Sequence, residues 1–447
     1  MVPFRVLVVD DSAFMRKIFS DFIERDALFQ VVGTAENGQE AIRKVKELNP
    51  DAVTLDVEMP EMNGLDALKF IMELGPRPVI MLSGLNEEGM KETILALEAG
   101  AFDFIRKPSI TNALGIEQVG EELMKQLHAA MQAKQRRALW EEEERARQAA
   151  RHPSSSSRAS RPLGKLPDKK PNVKEQPPVD HTRAKAAEVH ARQELPPVSK
   201  AKQRLREVLP GTDPLQRKPD TPDSRRKPES AKPSAAGAET RPAADASPSS
   251  SAALSDLVAV GCSTGGPRAL KAFLEGIPSG FPAPIVIVQH MPPKFTKSLA
   301  QRLNSFSRLE VLEAADGMAL EPGKAYIAPG GSHIRVKRTE KNRYVIATSM
   351  DEPRNGHRPS VDTLFESLLP LTELTRHAVL MTGMGSDGAR MMKKLYDSGV
   401  RSTFAESEET CVVYGMPRSA VELGCVNDVL PLQELAPKVV QAVNNRK

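Results

Sequence analysis

From Arg151 to Ala252 the chain contains no Phe, Tyr or Trp, and 16 of its residues are proline. Such a stretch cannot bury enough apolar surface to offset the entropy of ordering it, so no core can run across it. The 447 residues must therefore fold on either side of a long disordered linker. That stretch also carries 21 Lys and Arg against 12 Asp and Glu, a net of +9, whereas the whole chain is only +4 and the remainder is therefore −5. The basic character belongs to a tether and does not argue for a nucleic-acid-binding domain. Three cysteines, Cys262, Cys411 and Cys425, lack metal-ligand spacing and point to a reducing compartment. The N-terminus reaches Asp10 and Asp11 directly after a short apolar run, unlike a signal peptide. No window approaches the roughly eighteen apolar residues of a membrane span. A cytoplasmic protein is expected.

Before the linker, residues 5–9, 31–35, 52–56, 79–83 and 103–106 read as short strands. Helical patterns alternate with them: Phe14, Ile18 and Phe22 share a face behind Ser12 as N-cap, 39–48 precedes Pro50, and 91–99 stops at Gly100. This alternation gives a doubly wound parallel sheet whose site lies at the carboxyl ends of its strands. Asp10 and Asp11 end the first strand, Asp56 the third, Ser83 the fourth and Lys107 the fifth. Three carboxylates meeting at one edge repel unless a hard cation joins them, and Mg²⁺ suits oxygen ligands. A hydroxyl and an ammonium beside them suit the oxygens of a phosphoryl group on Asp56.

This set, with the turn from Pro60 to Gly64, resembles the receiver domain of response regulators over residues 4–127. The resemblance implies a flavodoxin-like five-stranded sheet, Asp56 as phosphoacceptor supported by Ser83 and Lys107, and Mg²⁺ at Asp10, Asp11 and Asp56. It also implies a histidine kinase as donor and Phe104 at the aromatic switch position. Val119, Leu123, Leu127 and Met131 continue a helical stripe out of this domain. The pairs Glu141/Arg145 and Glu143/Arg147 sustain a polar helix to about 150. An apolar heptad is missing there, so a monomer is expected rather than a coiled-coil dimer. The organisation is thus 1–128, a helical extension and linker over 129–253, and a second domain over 254–447.

From 257 the strand and helix alternation resumes, giving a second doubly wound α/β domain with a mostly parallel sheet. Ser263 follows the strand 258–260 and precedes Gly265-Gly266-Pro267 and an amphipathic run. Such a strand–turn–helix lifts a hydroxyl from the sheet edge beside backbone N–H groups that can hold an oxyanion. His290 follows the strand 285–289, and Asp387 follows the strand 378–381. In a parallel sheet these ends share one edge, so a hydroxyl, an imidazole and a carboxylate can meet there for nucleophilic hydrolysis. Taken one at a time, His290 can equally be a capping residue and Asp387 a turn residue. The order Ser, His, Asp departs from α/β-hydrolases, where the histidine comes last.

Residues 254–443 resemble the catalytic domain of the chemotaxis-specific, CheB-type protein-glutamate methylesterases. The resemblance is carried by 261–266 (GCSTGG), 289–293 (QHMPP), 326–330 (YIAPG), 357–362 (HRPSVD), 380–388 (LMTGMGSDG) and 411–417 (CVVYGMP). It implies a serine-type ester hydrolase with Ser263 as nucleophile, His290 as base and Asp387 as its orienter, and no cofactor for the hydrolysis. Thr264 and Met384 flank the oxyanion position; His357 either borders the cleft or has a structural role in its loop. The implied substrates are glutamyl methyl esters, and glutamines for deamidation, on methyl-accepting chemotaxis receptors, with no membrane insertion by this chain. An unphosphorylated receiver covers the site in that family, and its linkers are usually short, from which this chain departs. The alternative is a response regulator whose output domain binds a partner without catalysis.

Overall fold

The computed structural model describes residues 2–84, 86–107, 113–151 and 254–445; the segment read as a linker lies outside them. The chain begins β1 (Phe4–Val9), α1 (Ala13–Glu24), β2 (Phe29–Ala35), α2 (Gly38–Leu48), β3 (Ala52–Asp56), α3 (Gly64–Leu74), β4 (Val79–Ser83), α4 (Glu87–Glu98), β5 (Asp103–Arg106). Asn37, Asn63 and Asn86 cap α2, α3 and α4 by accepting a backbone N–H with their side chains, as Ser12 does for α1. The sheet order is β2-β1-β3-β4-β5, all parallel, the order of doubly wound flavodoxin-like folds. Helix α5 (Ala113–Arg151) covers one face with Leu123, Leu127 and Met131 and continues as a polar rod, where Glu141 pairs with Arg137 and Arg145.

After the linker come β6 (Asp256–Cys262), α6 (Gly266–Glu275), β7 (Ile285–Gln289), α7 (Phe295–Asn304), β8 (Glu310–Glu313), β9 (Lys324–Ile327), β10 (His333–Arg338) and β11 (Tyr344–Ser349). They are followed by α8 (Val361–Leu368), β12 (Thr375–Leu380), α9 (Ala389–Asp397), β13 (Thr403–Glu406), α10 (Met416–Glu422), β14 (Asp428–Leu430) and α11 (Leu432–Asn444). Seven strands form one parallel sheet in the order β14-β13-β12-β6-β7-β9-β8, and β10 and β11 make a separate antiparallel hairpin. Along β6, Val258 and Val260 enter the core under α6, α7 and α11, while Leu257 and Ala259 enter the core under α8 and α9. Both faces are buried, as in other parallel sheets.

Strand order reverses at β6: the chain first builds towards β7, then returns to lay β12 on the other side. Ligands of such sheets bind outside the carboxyl ends at that reversal. Both sheets lie in one compact unit.

Candidate active site

Cys262 of β6 and Gln289 of β7 are register partners, and the chain leaves each strand at the next residue, Ser263 and His290. The His290 N–H donates to the Cys262 carbonyl (3.2 Å), so these two residues are adjacent across the edge. Gln289 locks the corner: its amide nitrogen donates to the Ser263 carbonyl (2.9 Å) and the His290 carbonyl (3.1 Å), and its oxygen accepts from Cys262 Sγ (3.1 Å). Ser263 N–H donates to Thr382 at the end of β12 (3.0 Å). A Cβ on Gly383 would stand 2.8 Å from Ser263 Cβ, so only glycine lets the backbone after β12 lie this close to Ser263. The backbone N–H groups of Thr264 and Met384, on the two segments that meet here, donate to no other described residue. Free N–H groups beside a hydroxyl are what an oxyanion requires.

The His290 side chain is only 6 % exposed, and its Nε2 lies 2.8 Å from Asp387 Oδ2. Its Nδ1 is buried with no hydrogen-bond partner, and the half-buried Ser263 hydroxyl bonds no other described residue. The three groups thus gather at one edge, with the imidazole–carboxylate bond formed and the hydroxyl–imidazole bond not formed. Such bonds are often long until substrate binds.

Asp387 is itself held by four further donors. Asn355 Nδ2 (2.7 Å), the Ser360 hydroxyl (2.9 Å) and the Asp362 N–H (3.2 Å) reach Oδ1, and the Val361 N–H (2.7 Å) reaches Oδ2. Two of these are orphan amides at the start of α8, where a helix favours negative charge. In return Asp362, in the first turn of α8, accepts from Gly388 and Met391 at the start of α9. Each carboxylate therefore caps the helix that follows the other. Burial by itself would raise the Asp387 carboxyl, but His290, Asn355 and the α8 amides hold it well below the ordinary carboxylate range. Sequence reasoning missed Asn355, Ser360, Asp362 and Gln289 as supports. His357, left open between cleft and structure, lies flat against His290 with ring centroids 3.8 Å apart and planes 8° from parallel.

A second Ser–His–Asp grouping shows that composition alone does not make a site. At the opposite sheet edge His377 has Ser402 Oγ at 2.7 Å and Asp256 Oδ1 at 3.3 Å. Both nitrogens are occupied there, the ring is 1 % exposed, and burial pushes its imidazole down. That network lies away from the carboxyl-end crevice and ties the starts of β6 and β12 together.

In the N-terminal half, Asp10, Asp11 and Asp56 bring carboxylate oxygens within 4.8 Å of one another. Lys107 Nζ lies 2.8 Å from Asp10 Oδ2 and 2.6 Å from Asp56 Oδ2. Both are close ion pairs, so the Lys107 ammonium offsets part of the repulsion between the two buried carboxylates. Burial pushes the Asp56 carboxyl up to about 7 in spite of Lys107, and raises Asp10 as well. Three converging carboxylates, Asp10 and Asp56 buried and Asp11 exposed, fit a hard divalent cation with oxygen ligands. Ser83, fully buried at the end of β4, accepts from Thr93 (2.7 Å).

Residues 258–439 match the family model described as CheB methylesterase, and residues 6–116 match that of the response regulator receiver domain. A protein-glutamate methylesterase/protein-glutamine glutaminase of Bacillus subtilis is 37 % identical over 443 residues, covering 99 % of this chain and 99 % of the relative. The chain belongs to the protein-glutamate methylesterase/protein-glutamine glutaminase family. A Geobacillus kaustophilus member of this methylesterase family is 38 % identical over 444 residues, again covering 99 % of each chain. The crystal structure of the Thermotoga maritima CheB methylesterase catalytic domain is 42 % identical, covers 42 % of this chain and 98 % of its own, and has a TM-score of 0.41.

In this family member the receiver lies on the candidate site. Arg302 of α7 makes a two-pronged bond to Glu98 of α4 (2.9 and 2.9 Å), and Phe104 stacks on Phe295 at 4.6 Å. Arg136 of α5 donates to the Tyr414 carbonyl (3.1 Å). Beside the nucleophile position, the Thr264 hydroxyl donates to Asp103 Oδ2 of β5. Burial pushes the Asp103 carboxyl up to about 6 although Thr264 and the Phe104 N–H donate to it. Separation of the halves would return it towards its ordinary value near 4. The closed arrangement therefore holds the proton more tightly, closure weakens as pH rises through about 4 to 6, and the penalty is complete above 6. Asp103→Asn, which keeps an acceptor without the charge, should lower basal methanol release of the unphosphorylated chain at pH 7.5. The mutant-to-wild-type ratio should move about half-way back to one, on a logarithmic scale, by pH 5 and approach one only at about pH 4 or below, and the ratio cancels any titration common to both proteins. A ratio independent of pH would remove Asp103 from the closure equilibrium.

Proposed function

We propose that this chain is a phosphorylation-controlled, serine-type esterase acting in the cytoplasm as a monomer. Its substrates are γ-glutamyl methyl esters, and glutamine amides, on the helices of methyl-accepting chemotaxis receptors. The observation that carries the reading is the buried His290, with one ring nitrogen on Asp387 and the other unpartnered at the strand end beside Ser263. His290 Nδ1 takes the Ser263 proton as Oγ attacks the ester carbonyl, and Asp387 stabilises the imidazolium that forms. The Thr264 and Met384 amides receive the oxyanion. Methanol leaves with the proton from His290; water, deprotonated by the same nitrogen, then releases the receptor glutamate and restores the serine. With an amide, ammonia leaves in place of methanol. No cofactor enters these steps.

In the receiver, a histidine kinase supplies the phosphoryl group to Asp56. Mg²⁺ held by Asp10, Asp11 and Asp56 would neutralise its charge, while Ser83 and Lys107 contact its oxygens. Phe104, packed on Phe295, is placed to pass the change at Asp56 to the interface over Thr264. The test is methanol release from methyl-esterified receptor with and without a small acyl phosphate and Mg²⁺. Release should rise about tenfold or more in the wild type, within the usual range of coupling between sites, and not at all in Asp56→Asn. Equal rates with and without phosphodonor would contradict the control, and no methanol under any condition would contradict the substrate.

A further inference from the structure

Arg354 and His357 pair as an isolated antiparallel bridge, each N–H donating to the other's carbonyl at 3.0 Å. Between them Asn355 (φ 54°) and Gly356 (φ 79°) are both left-handed, the geometry of the tight I′ turn that Asn-Gly favours. Arg354 anchors the turn to Glu366 of α8. Both inner ends of this turn meet the imidazole–carboxylate pair. Asn355 Nδ2 bridges Asp387 Oδ1 (2.7 Å) and Asp362 Oδ2 (2.8 Å), and the His357 ring covers the face of His290.

The Asp387 bond restrains His290 only in part. Nε2 lies nearer than Nδ1 to the Cβ–Cγ axis about which the ring turns, so a bond at Nε2 responds less to that rotation than the direction of Nδ1 does. Nδ1 lies off that axis and swings widely. A parallel ring in contact with the whole imidazole face restrains the rotation that a single bond leaves free. Burial and the neighbouring His290 push the His357 imidazole down to about 4, so it stacks as a neutral ring and leaves the working proton to its neighbour.

We propose that His357 is a positioning residue for the reaction, presented by the Asn355-Gly356 turn, whose flat contact fixes the plane from which His290 Nδ1 reaches Ser263. This rests on the serine-esterase reading of the same site. The role belongs to the ring and not to its nitrogens, which separates it from an acid, a base or a hydrogen-bonding strut.

The experiment compares wild type, His357→Ala and His357→Phe as full-length phosphorylated chains. Two readouts are taken: methanol release from methylated receptor, and the rate at which a fluorophosphonate labels Ser263. In His357→Ala, kcat and labelling should both fall about tenfold to a hundredfold, with KM within about twofold. In His357→Phe both should return to within about threefold of wild type, because a flat ring of similar thickness is restored. His357→Ala at wild-type kcat and labelling, or a folded His357→Phe as slow as His357→Ala, overturns the proposal. Should His357→Ala fail to fold, His357→Phe decides alone: retained rates support the ring, and a large loss refutes it. If wild type labels but releases no methanol, the substrate reading fails while the labelling comparison still decides the role of His357.

Discussion

Ser263→Ala is expected to reduce methanol release by roughly four to six orders of magnitude, leaving only what binding and the oxyanion amides supply. The residue is half-buried, and its hydroxyl bonds no other described residue. Removing Oγ therefore breaks no contact that the fold uses. The melting temperature should stay within about 2 °C, as for changes away from packing or buried hydrogen bonds. Receptor binding and Asp56 phosphorylation should also be unchanged. This combination is diagnostic, because a domain that only binds its partner would lose nothing on the same substitution.

Asp387→Asn should be nearly as severe for the reaction and, unlike Ser263→Ala, should also weaken the fold. All of the five groups facing this carboxylate act as donors in its current arrangement: His290 Nε2, Asn355 Nδ2, the Ser360 hydroxyl and the amides of Val361 and Asp362. An asparagine must turn its NH₂ towards one side of that ring of donors. Facing His290, it demands the tautomer with the proton on Nδ1, which leaves no base for Ser263. An Asp-to-Asn change of this kind costs about 10⁴ in kcat in another triad. Facing the α8 side, it leaves a buried donor unpaired, at about 1–3 kcal/mol. Methanol release should fall by about three to four orders of magnitude, with a lower melting temperature and normal phosphorylation of Asp56. A melting loss without a rate loss would make Asp387 a helix cap and nothing more.

That Ser263, His290 and Asp387 come to one edge was legible in the sequence because a parallel sheet obliges its strand ends to share an edge, and each of the three follows an apolar run. The receiver acids were legible for the same reason. What was not legible is how Asp387 is held. Two of its donors are backbone amides of α8, which have no side-chain signature, and a third comes from a turn whose placement depends on Arg354 reaching α8. The register of β7 on β6, which turns Gln289 into the brace of the corner, is likewise a tertiary fact. Strand β8 escaped notice because only Val311 and Leu312 of its four residues are apolar. The bond between Thr264 and Asp103 joins residues 161 positions apart, and no local pattern on either side announces it.

The most direct measurement is rapid acid quenching of the phosphorylated full-length chain mixed with a methyl-esterified receptor peptide, followed by mass analysis of the proteolytic fragment that carries Ser263. The account predicts a transient peptide adduct on that serine, with one equivalent of methanol released as it forms, and neither in Ser263→Ala. Steady methanol release with no adduct at Ser263, or release undiminished in Ser263→Ala, would contradict it.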